Sequence, residues 1–125
     1  MPRVLPFYLS VLAILLFATV TATAQTLTVD ELLQSPRQFE GRRVSVSGYY
    51  ASDWEGHVLF ADLAAAKRGD LSRSIWIKAD PYVESPLRKA HIIGVFSFHS
   101  RPDTGYGDLG MYPAALSNCT VHLQR

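Results

Sequence analysis

The chain has 125 residues and a formal charge of +1, with 48% hydrophobic and 18% charged residues, a mixture that excludes both a disordered polymer and a membrane bundle. Of the 125 residues, setting aside the apolar first 24 leaves 101, room for one modest core but not for two domains or a large cofactor cleft. Without Arg3 the remainder carries 11 Lys and Arg against 11 Asp and Glu, and a balance of zero argues against a surface that tracks nucleic-acid phosphates. The densest basic groups, Arg42-Arg43, Lys67-Arg68 and Arg88-Lys89, are pairs and not stripes, and read as solvated surface charge.

Arg3 precedes an apolar run at residues 11–18, which gives way to the small residues Thr21, Ala22, Thr23 and Ala24. A short positive region, a short apolar core and an A-x-A ending are the parts of a secretory signal peptide. Residues 1–24 are therefore expected to be a leader cut after Ala24, and residues 25–125 an exported domain, periplasmic or secreted, with no membrane span once the leader is gone. An uncleaved anchor is the alternative, diluted by Pro6, Ser10 and the threonines. The single cysteine, Cys119, excludes an intramolecular disulfide and a Cys-rich zinc site. Its apolar, β-like surroundings predict a buried small residue in place of a reactive nucleophile.

In the mature part, Thr28 and Glu31 fit a capping box, with Leu27 and Leu32 as a hydrophobic staple. A helix is predicted over residues 29–34, stopped by Ser35-Pro36 because the residue before proline leaves the helical region. Residues 43–50 alternate, with Val44 and Val46 on one face and Ser45 and Ser47 on the other, the period of a half-buried strand. Gly48 within it predicts a bulge or sharp bend. Further strands are predicted at residues 57–61, 74–78, 91–98 and 116–123, with a short helical excursion at 62–69 and a Gly-rich connection at about 101–110. A weak echo relates Val44-x-Val46-x-Gly48-x-Tyr50 to Ala90-x-Ile92-x-Gly94-x-Phe96, two strands with one job, each with a glycine where a small barrel coils tightly.

In order, Glu31-Leu-Leu33, Pro36, Gly41, Val44, Val46, Gly48, Tyr49, Ile75-Trp-Ile77, Ile92, Gly94 and Phe96 resemble the secreted and periplasmic bacterial domains of the oligonucleotide/oligosaccharide-binding (OB) fold. The resemblance covers residues 28–123, nearly all of the mature chain. It implies a mainly β fold: a small, five-stranded, partly open barrel behind a short N-terminal helix, whose strand 2 and 3 face and adjoining loops bind ligands. The nucleic-acid-binding members carry a basic groove with stacking aromatics, and this chain is neutral. Fold assigns no ligand, and no family active-site residue carries over.

The residues offer two sites. Tyr49, Trp54 and Trp76 are expected to make an aromatic patch on the outer face of the first and third barrel strands, where rigid amphipathic rings suit contact with a protein or a small envelope ligand. The opposing reading covers Tyr49 and Trp76 with the N-terminal helix or the excursion at 62–69. The alternative site joins Asp53, Glu55 and His57 with His99, and with Asp103 or Asp108, for metal-dependent or hydrolytic chemistry. No H-x-x-x-H, H-E-x-x-H or D-x-D-x-D-G spacing supports it, nor a G-x-S-x-G elbow, and the Gly105 to Gly110 string lacks the Lys of a P-loop. The expectation is a non-catalytic binding module without a cofactor.

Overall fold

A computed structural model describes residues 25–53, 56–79, 85–98, 106 and 111–125. The expected leader, residues 1–24, lies outside them. The first element, β1 (Thr26–Thr28), runs directly into α1 (Val29–Gln34). The Thr28 hydroxyl accepts the Glu31 amide at 3.1 Å and so caps the helix. Ser35 ends α1, and Pro36 opens a one-turn helix α2 (Pro36–Phe39), its fixed φ being suited to a first helical position. Gly41, at φ +74°, turns the chain into β2. There follow β2 (Arg43–Asp53), β3 (Gly56–Phe60), α3 (Leu63–Arg68), a 3-10 turn (Leu71–Arg73), β4 (Ser74–Ala79), β5 (Ser85–Phe98) and β6 (Ala114–Leu123). Among the described residues no helix is long and apolar enough to cross a membrane.

The strands close a ring. β2 pairs antiparallel with β3, β3 with β4, β4 runs parallel to β6, β6 pairs antiparallel with β5, and β5 returns to β2. The chain is thus mainly β, with a closed five-stranded barrel of OB-like order and a few short helices. β1 pairs parallel with residues 45–47 of β2, on the edge that β3 occupies further along.

Alternation sets the interior. Val46, Tyr50, Leu59, Ile75, Ile77, Ile92, Phe96 and Leu116 are fully buried, and Val29 and Leu32 of α1 join them in one cluster. Large-to-small substitution at such a position costs about 2–5 kcal/mol.

The two echoing strands are neighbours, since Val44 faces Gly94 and Gly48 faces Ala90 across the β2–β5 pair. Their glycines serve close approach and not the expected bulge. A Cβ on Gly48 would stand 2.5 Å from the Phe60 carbonyl oxygen, and one on Gly94 would stand 2.8 Å from Cys119 Sγ. The irregularities fall on partner strands. Between the pairs Tyr50–Arg88 and Ser52–Ser85, β5 holds one residue more than β2, which places Pro86 where a ladder tolerates it. Opposite Gly94, β6 holds one residue more than β5, and Asn118 adopts φ 51° there, the left-handed conformation Asn accepts more readily than most residues.

Candidate functional site

Because Ile75 and Ile77 point inward, Trp76 and Lys78 stand on the outer face of β4. Trp76 is in register with Val58 of β3, and Val58 with Ala51 of β2. The next row aligns Tyr49, Phe60 and Ser74. Tyr49 and Trp76 therefore share the outer face of β2, β3 and β4, as expected, and both belong to a second apolar cluster built on Val58, Phe60 and Ala65.

Two pieces of chain frame this face. On one side α3 packs Ala65 and Ala66 against it, followed by Leu71. α3 is held by the Asp62 carboxylate, which accepts the Ala65 amide at 2.8 Å, and ends at Gly69 in the left-handed conformation. On the other side Tyr112 lies against Trp76, with ring centroids 4.9 Å apart and planes tilted by 46°, a favoured aromatic arrangement. Tyr112 exchanges two backbone hydrogen bonds with Tyr106, at 2.9 and 3.1 Å. Lys78 Nζ sits 5.8 Å from the Tyr106 ring centre, within cation–π range. Gly56 packs closely on the indole, since a Cβ there would overlap Trp76 Cη2 and Cζ3. Both readings of Trp76 thus hold in part: its own chain packs on it, and it remains half-buried, as does Tyr49.

Trp54, the third ring of the expected patch, lies outside the described residues. So do the Asp53 side chain, Glu55, His99, Asp103 and Asp108. His57 is described, and it belongs to β3, with its side chain on the same side as Tyr50 and Leu59. Its Nδ1 is 2.9 Å from Ser52 Oγ and 3.3 Å from the Tyr50 hydroxyl, at the end of the barrel interior. Among the described residues no three His, Cys, Asp or Glu side chains converge to hold a metal ion.

Cys119 is half-buried and packed against the main core. Burial pushes its thiol up to about 11, against smaller opposing effects of a Lys78 backbone hydrogen bond and the Arg43 charge. That suits a packing residue, since the thiolate is the reactive form. Sequence reasoning missed Tyr112, Lys78 and Gly56. Lys78 was legible as the second residue after Trp76 on a strand. Tyr112 and Gly56 reach Trp76 only through tertiary folding, so no local pattern announces them. Compared with models of known protein families, with curated proteins and with solved structures, the chain finds no match.

Proposed function

We propose that this protein is an exported, non-catalytic binding module of a cell envelope, akin to secreted OB-fold domains, and that it contacts a protein or a small envelope ligand through the outer face of β2, β3 and β4. The observation that carries this is the convergence of Tyr49, Trp76 and Tyr112 on that face, flanked by Lys78. In barrels of this order, that face between the loops is where ligands are held. Half-buried aromatic rings give large contact area at low entropic cost, since their neighbours already fix them.

Two measurements test the proposal. The mass of the protein recovered from the exported fraction is expected to begin at Gln25; a full-length mass in the cytoplasm refutes export. Capture of an envelope component by the immobilised protein is expected to fall with Trp76→Ala and with Lys78→Glu. The second variant removes no buried surface, so it separates lost contact from lost folding. Capture unchanged in both, with thermal unfolding intact, refutes the face as the contact surface.

A further inference from the structure

We propose that His91 and His122, with Ser45 beside them, form a binding site for a borderline divalent cation such as copper or zinc, on the outer face of β2, β5 and β6. This site is separate from the aromatic face. His91 of β5 and His122 of β6 are directly opposed in the antiparallel register, and their side chains stand outside because Ala90 and Ile92 take the interior. Their ring centroids are 6.0 Å apart. With metal–nitrogen bonds of about 2.1 Å, two imidazoles on one tetrahedral ion bring their ring centres to a little over about 5 Å. A side-chain rotation of the exposed His122 covers the difference without moving either strand.

The surroundings favour the same reading. Ser45 Oγ is in hydrogen-bond contact with His91 Nε2, and Thr26 Oγ1 continues the chain 3.4 Å beyond Ser45 Oγ. In the metal-binding tautomer Nε2–H donates to the serine and leaves the Nδ1 lone pair for the cation, the way outer partners orient ligating imidazoles. The donors are neutral nitrogens, which select copper, zinc or nickel over calcium or magnesium, and copper binds most tightly. With two protein nitrogens and water in the other positions, the ion is exchangeable, and it stabilises the fold only in proportion to its occupancy.

The test is calorimetric titration of the protein with Cu2+ and, separately, Zn2+, alongside the histidine ring signals in NMR. One equivalent is expected to bind, copper more tightly than zinc, with the His91 and His122 signals perturbed together and that of His57 unmoved. His122→Gln is expected to abolish saturable binding, and Ser45→Ala to weaken it about tenfold. Absence of saturable binding, or binding that survives in the His91→Gln/His122→Gln double variant, overturns the proposal. Should His91→Gln lower the melting temperature, His122→Gln decides, because its exposed ring leaves no cavity.

Discussion

The two inward-facing glycines meet different obstacles. At Gly48 the nearest atom is a backbone carbonyl oxygen of the neighbouring strand, whereas at Gly94 it is the Cys119 sulfur, with the Ser117 carbonyl at 3.0 Å. Gly48→Ala must part β2 from β3, and is expected to cost at least the roughly 1–3 kcal/mol of an overpacked site. Gly94→Ala is expected to be destabilising alone and partly rescued by Cys119→Ala, which removes the sulfur. Urea unfolding of the two single variants and the double variant reads this coupling directly; strict additivity refutes it. The same sulfur answers to chemistry. With its thiol raised to about 11 by burial, Cys119 is expected to react slowly with an aromatic disulfide reagent at pH 8 and quickly once urea unfolds the chain.

Between elements, Arg73 ties the helical parts to the barrel. Its guanidinium donates to Asp30 of α1 through Nε and Nη2, at 3.2 and 2.7 Å, and to Asp62 before α3, at 2.7 Å. The Ala65 amide first, and Arg73 second, hold the Asp62 carboxyl below its ordinary value of 3.8. A carboxylate depressed in the folded state contributes stability above the unfolded value and loses it as pH falls through the folded one. The thermal midpoint is therefore expected to fall on acidification below about pH 4, and less steeply in Asp62→Asn. An equal acid slope in both proteins excludes this carboxylate as a cause.

Legibility followed locality. α1 was readable because Thr28 and Pro36 act within one turn of it, and the barrel strands because alternation is periodic. β1 was not, since three residues carry no period and β2 imposes its extended form. The sequence predicts the fourth barrel strand only from residue 91, since Pro86 interrupts the pattern before it, whereas β5 starts at Ser85; only the bulge opposite Tyr50 and Ser52 makes that proline compatible with the strand. At the site, strand periodicity placed Tyr49 and Trp76 on one face. It could not show that α3 and Tyr112 frame them.

For the whole molecule, two of the six strand pairings, β2 with β5 and β4 with β6, join strands that are not consecutive in the sequence, and they close the ring. Such topologies fold slowly, in about milliseconds to seconds. One cooperative transition is expected, with tryptophan fluorescence and far-ultraviolet circular dichroism tracing coincident urea curves; separated midpoints refute it. A ring has a further property. Each barrel strand is flanked on both edges, so none can peel away without breaking two ladders, while β1 has one neighbour. Amide hydrogens along the middle of β2, β5 and β6 should therefore exchange with solvent deuterium at one shared, slowest rate set by global opening, and those of β1 long before them.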